Sequence, residues 1–253
     1  MPSRINIAFL ALCGFTVLLS PCKGESASSP NSAALLPDAP IKIDRKAIIP
    51  YPAILSHNGV NHGEAQILVS IDAEGKMVDS LATAYTHEPF ARAAMDAIRQ
   101  WRFEPPLVKG EKTPAVVQIQ VRFEVDKVLV VTHPGIPTYP NPPGYPNLQQ
   151  EGEFAFRPQN LSRLDAIPTP IQVTQPIYPA EWSKQGMHGK VMVDFYIDET
   201  GTVRMPSVVL APEFPLLASA AITAVREWRF SPPLRKGHPV LVHCQQTFTF
   251  EPK

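Results

Sequence analysis

The sequence predicts an α+β protein of two tandem modules, each a small antiparallel sheet of about three strands backed by a helix. Three observations predict it. The two halves carry the same residues in the same order, each half switches from a period of two to a helical period, and a Pro-rich string lies between them.

The repeat is dense. Tyr51-Pro52-Ala53 returns as Tyr178-Pro179-Ala180, and Gly59 with His62-Gly63 returns as Gly186 with His188-Gly189. Ile71-Asp72-Ala73-Glu74-Gly75 returns as Ile197-Asp198-Glu199-Thr200-Gly201. Trp101-Arg102-Phe103 and Pro105-Pro106-Leu107 return as Trp228-Arg229-Phe230 and Pro232-Pro233-Leu234.

Each element follows from its pattern. Tyr-Pro to Gly allows a short leading helix. Ala65, Ile67, Val69 and Ile71 alternate with polar residues, as do Val191, Val193, Phe195 and Ile197, so each set predicts a strand with one buried face. Asp-x-x-Gly then suits a tight turn, the carboxylate accepting backbone N–H bonds and the Gly taking positive φ. Second strands are expected near Met77 to Ala84 and Val203 to Leu210, with Pro206 marking a bulge or an edge. Phe90, Ala93, Ala94, Ala97, Ile98 and Trp101 sit at helical spacing, and Leu217, Ala220, Ala221, Ala224, Val225 and Trp228 repeat them. The Pro-Pro pairs stop further helix. Last strands are expected near Ala115 to Glu124 and Val240 to Phe250. The stretch from His133 to Asn147 is too rich in Pro for regular structure and suits a spacer that holds the modules apart. Just before it, Asp126 to Thr132 is apolar and β-like, extending the first module's last strand or pairing elsewhere.

The N-terminus has the form of a secretory signal. Arg4 precedes an apolar run from Ile5 to Ser20, and Pro21-Cys22-Lys23-Gly24 follows. The run is shorter than the roughly 20 residues of a spanning helix. Cleavage is the expectation; a retained inner-membrane anchor and a lipid on Cys22 are the alternatives, the latter opposed by Pro21 where a small residue belongs. The organisation is then a signal peptide over 1–24, a first module over 36–126, a Pro-rich linker over 127–163 and a second module over 164–253.

Charge is balanced, 23 Lys+Arg against 23 Asp+Glu, which gives no electrostatic case for nucleic acid. Three Cys, two of them at the N-terminus, make no disulfide framework. Cys244 is expected as a buried thiol. His62 and His188 suit turns, Asp72 and Asp198 suit the Asp-x-x-Gly hairpin, and Trp101 and Trp228 suit the core. Arg102 and Arg229 suit the helix end, where the dipole favours cations. The sequence has no metal-ligand spacing and no nucleophile or phosphate motif, so neither cofactor nor enzyme activity is expected.

Tyr-Pro, the strand ending Ile-Asp-x-x-Gly, and the Ala-rich helix ending Trp-Arg-Phe-x-Pro-Pro together resemble the TonB C-terminal domain family. Gly189 to Gly201 and Ala221 to Pro233 of the second half carry the stronger likeness. The resemblance implies a periplasmic domain that takes a short segment of an outer-membrane transporter, or of another envelope protein, as an added strand on an exposed sheet edge. The edges expected to serve are Ala115 to Phe123 and Val240 to Phe250. The residues expected to contact the peptide are Tyr178, Pro179, Val240, Val242, Cys244, Gln246, Phe248 and Phe250, with Tyr51 and Pro52 in the first module. A self-associating envelope scaffold, a homodimer through those edges, is one alternative. A membrane-anchored energy transducer is another, and the short N-terminal run and doubled domain speak against it.

Overall fold

The computed structural model describes residues 41–45, 47–108, 110–125, 127–134, 154–209 and 215–251. The predicted signal peptide, with its anchor and Cys22 alternatives, and the centre of the Pro-rich linker lie outside the described residues. Among those described, no helix is long and apolar enough to cross a membrane.

The first module runs β1 (Lys42–Asp44), α1 (Ala53–His57), β2 (His62–Ile71), β3 (Met77–Tyr85), α2 (Glu88–Ile98), β4 (Arg102–Glu104), a hairpin of β5 (Leu107–Val108) and β6 (Glu111–Lys112), β7 (Ala115–Glu124) and β8 (Lys127–Pro134). Its sheet has the antiparallel order β3-β2-β7-β8, and β1 pairs separately with β4. After a 3-10 turn at Leu161–Arg163, the second module runs β9 (Pro170–Gln172), α3 (Ala180–Lys184), β10 (Gly189–Ile197), β11 (Val203–Val208), α4 (Pro215–Arg226), β12 (Arg229–Phe230), a hairpin of β13 (Leu234–Arg235) and β14 (His238–Pro239), and β15 (Val242–Phe250). Its sheet has the order β11-β10-β15, also antiparallel, and β9 pairs with β12.

Each helix covers one sheet face, as the periodicity requires. Ala65, Ile67, Val69 and Ile71 pack with Phe90, Ala94 and Ile98 in the first core; Val191, Val193, Phe195 and Ile197 pack with Leu217, Ala221 and Val225 in the second. Trp101 and Trp228 end both cores, and each indole N–H donates to a main-chain carbonyl 54 residues back, Ala47 at 2.9 Å and Thr174 at 2.8 Å. A Trp with its polar edge satisfied thus fastens the segment that leads into each module.

The two halves of the repeated motif form one joint. Asp72 Oδ1 accepts from the N–H groups of Glu74 and Lys76, and Asp198 Oδ1 from those of Thr200 and Thr202. Burial opposes ionisation of Asp198, but hydrogen bonds from Thr200 and Thr202, with Arg204 nearby, hold its carboxyl below the usual range. That stabilisation is present above the unfolded-chain carboxylate pKa and is lost as pH falls through the lowered value. The Gly of each turn has positive φ, +81° at Gly75 and +86° at Gly201. A Cβ there would stand 2.1 Å from the Phe103 carbonyl oxygen and 1.9 Å from that of Phe230. The Phe230 N–H donates to the Gly201 carbonyl at 2.9 Å. Asp-x-x-Gly and Trp-Arg-Phe, far apart in sequence, are therefore the two sides of one backbone contact.

The modules are docked rather than held apart, contrary to the spacer expectation. The sheet faces turned away from the helices meet, burying Leu68 of β2 against Tyr196 of β10, Met205 of β11 and Leu241, with Leu81, Val116 and Phe156 around them. Burial of such side chains stabilises by roughly 1.5–3 kcal/mol each. The expected irregularity at Pro206 is a β-bulge in edge strand β11, between the pairs Asp194↔Ser207 and Tyr196↔Arg204. It places Met205, at φ +52°, in this contact beside Arg204. The Arg204 guanidinium donates to both oxygens of Asp79, in β3 of the other module, from Nε at 2.8 Å and from Nη2 at 2.5 Å, and Nη2 also reaches the Ser80 carbonyl at 3.1 Å. That pairing raises the arginine's pKa further. Polar groups lie in the contact too: Gln118 and Asp194 are buried, with an Asp194 oxygen 3.5 Å from His243 Nε2.

Composition also places 127–163 wholly in the linker, and the structure corrects this. Lys127–Pro134 is strand β8, because its Val128 and Val130 find the first core to pack on. At the other end, Leu161 and Leu164 pack on the second core.

Two outcomes are expected. Gly201→Ala combines left-handed strain of about 1–2 kcal/mol with an overpacking penalty of about 1–3 kcal/mol, and should lower the denaturant midpoint far more than Gly186→Ala, where nothing lies near the added methyl. Arg204→Ala should weaken the docking by about 1–2 kcal/mol after screening of a part-exposed pair, read as amide shift changes around Leu68 and Val116 with both cores intact.

Candidate functional site

A sheet has two faces and two edges, and here both faces of each sheet have cover. Each module's helix packs on one, and the docked sheets share the other. The edges are where unpaired main-chain groups remain.

β15 presents such an edge. In an antiparallel pair, successive residues direct their N–H and C=O groups alternately toward and away from the partner strand. The His243 N–H donates outward, away from β10, to the Gln159 carbonyl at 3.4 Å, and the Gln159 N–H donates to the Leu241 carbonyl at 2.7 Å. The outward set is thus odd-numbered, and Gln159 covers only its first members. The Arg235 guanidinium holds Gln159 there, donating to its Oε1 at 2.6 Å. Beyond this point lie the outward groups of Gln245, Thr247 and Thr249. The Thr247 carbonyl accepts from the Gln246 side-chain amide at 2.9 Å. Among the described residues, no strand pairs with this side of β15.

The side chains expected to touch a peptide lie elsewhere. Val242, Cys244, Gln246, Phe248 and Phe250 are all buried, on the face that α4 covers, and their own backbone groups point to β10. Burial, helped by the Asp194 charge, pushes the Cys244 thiol up to about 12, so it is protonated and unreactive at neutral pH. Val240 is half-buried against the same core, and its N–H donates to the Pro233 carbonyl. Tyr178 packs on Phe250 and donates to the Met187 carbonyl; Tyr51 packs on Phe90 and Phe123 and donates to that of Val60. Both tyrosines tie down the loop after a short helix, while Pro52 and Pro179 stand at the N-caps of α1 and α3. Side-chain alternation identifies the core face of β15 but carries no mark of which backbone groups face outward, so Gln245, Thr247 and Thr249 were not among the expected residues.

The second expected edge is closed. Ala115 to Phe123 lies within β7, which has β2 on one side and β8 on the other. His188 Nδ1 is 2.6 Å from the Gly186 carbonyl oxygen, and Arg229 caps the end of α4 by donating to the carbonyls of Arg226 and Trp228. The described residues contain no group of acidic, His and Cys side chains that could hold a metal ion.

Comparison with known proteins gives two matches to one family. The family model described as the Gram-negative bacterial TonB protein C-terminal matches residues 49–125 and again 174–252. The chain is 33% identical over 91 residues to Protein TonB of Xanthomonas campestris pv. campestris strain B100, covering 35% of this chain and 40% of that protein. It is 26% identical over 110 residues to Protein TonB of Vibrio cholerae serotype O1, covering 40% of this chain and 45% of that one. The matches thus span less than half of the length of these relatives. A solution NMR structure of the Pseudomonas aeruginosa TonB CTD matches at 25% identity and a TM-score of 0.32, over 37% of this chain and 92% of that one. With the family model matching both halves, this chain belongs to the TonB C-terminal family and carries its domain twice.

Proposed function

We propose that this chain is an envelope protein of the periplasm that binds an extended segment of an outer-membrane transporter as an added strand on β15. Binding, not catalysis, is its role. The observation that carries this reading is the outer side of β15, where Gln245, Thr247 and Thr249 keep main-chain groups directed away from β10. Family membership supports the transporter as partner. Main-chain bonds along such an edge supply affinity, and the flanking side chains supply selection.

The test is a titration of the isotope-labelled chain with N-terminal peptides of outer-membrane transporters. The amides of Gln245, Thr247 and Thr249 should shift and become slow to exchange. Binding that leaves these three amides unmoved, or no binding by any such peptide, would overturn the proposal.

A further inference from the structure

The two modules differ at the one place where recognition would occur. The repeat aligns β7 with β15, since Ile71 pairs with Ala115 and Ile197 with Val242. Val121 and Phe123 therefore occupy the positions of Phe248 and Phe250. The edge that, among the described residues, no strand pairs with on β15 is filled on β7. β8 pairs along it from Glu124↔Lys127 to Val117↔Pro134.

The fit is more than backbone pairing. Val128, opposite Phe123, and Val130, opposite Val121, pack on the first core from the side that α2 covers. A Lys127–Glu124 ion pair of 3.0 Å stands at the turn. The Arg45 guanidinium reaches the outer side of β8, donating to the Val130 carbonyl at 3.4 Å. A cation at a sheet edge discourages a further strand.

We infer that β8 is a built-in occupant of the first module's recognition edge, so that the chain offers one strand-accepting edge and not two. β8 also displays the class of ligand that edge takes: an extended segment with aliphatic residues at alternate positions, directed to the side of the sheet that the helix covers. This second part rests on the strand-addition reading of β15.

The probe is a capped synthetic peptide with the sequence of residues 127–134, KVLVVTHP. Titrated into the intact chain, it should bind once, shifting Gln245, Thr247 and Thr249. A peptide with Asp at both positions matching Val128 and Val130 should bind at least about tenfold more weakly, because it sets charge against apolar surface. In the chain, Val131→Pro removes a donor that β8 directs at β7 and should release β8. The peptide should then bind twice, with new shifts at Gln118, Gln120 and Arg122. The double variant Val128→Ser/Val130→Ser loosens β8 by side chain alone and gives the same readout should Val131→Pro fail to fold. Two peptides on the intact chain, or still one after β8 is released, would overturn the inference. If β15 takes transporter peptides but not the β8 peptide, the ligand class fails and the reading of β15 stands. If only β7 of the released chain takes the probe, closure by β8 stands and the reading of β15 fails.

Discussion

Leu68, Tyr196, Met205 and Leu241 are buried where the two sheets meet, and this contact decides which surfaces the chain keeps. A three- or four-stranded sheet with one helix has one covered face and one bare face. Leaving the second face in water would expose these side chains; packing it on its duplicate buries them. The bidentate Arg204–Asp79 pair gives the contact a register, since a forked cation on a carboxylate tolerates little sliding. With both faces shared or covered, what each sheet still offers among the described residues is its edges.

The duplication then has a physical meaning. Two copies of a sheet edge would give two equivalent sites. Here the copies differ at that edge: β7 has β8 along its length, while among the described residues β15 has Gln159 alone at its start. Each module is the surface on which the other is docked, and among the described residues the second has the strand with no neighbour on its outer side.

The fold was legible because its signals are local and periodic. The strands and helices, the turn carboxylates and the buried tryptophans all follow from spacing within a few residues. The docking leaves only a trace in the sequence. Leu68 interrupts the polar side of β2 between Ile67 and Val69, and Tyr196 does the same between Phe195 and Ile197, so each strand is apolar on both faces for one step. Such runs mark strands buried on two sides. The Gly201–Phe230 contact left no such trace, because it is made by backbone from residues distant in sequence. The site was only half legible. The sequence points to β15 as a strand but names its core-facing side chains, whereas an added strand needs the backbone of the residues between them. β8 was visible as an apolar run, and the prolines after it drew it into the linker.

Among the described residues the outer side of β15 has no strand beside it, while the same side of β7 is closed by β8. Amide hydrogen exchange on the intact chain without ligand measures this directly. The expected result is fast exchange at Gln245, Thr247 and Thr249 beside slow exchange at Cys244, Gln246 and Phe248, with Gln118, Gln120 and Arg122 of β7 all slow. Equal protection of both sets in β15, or fast exchange at Gln118, Gln120 and Arg122, would contradict it.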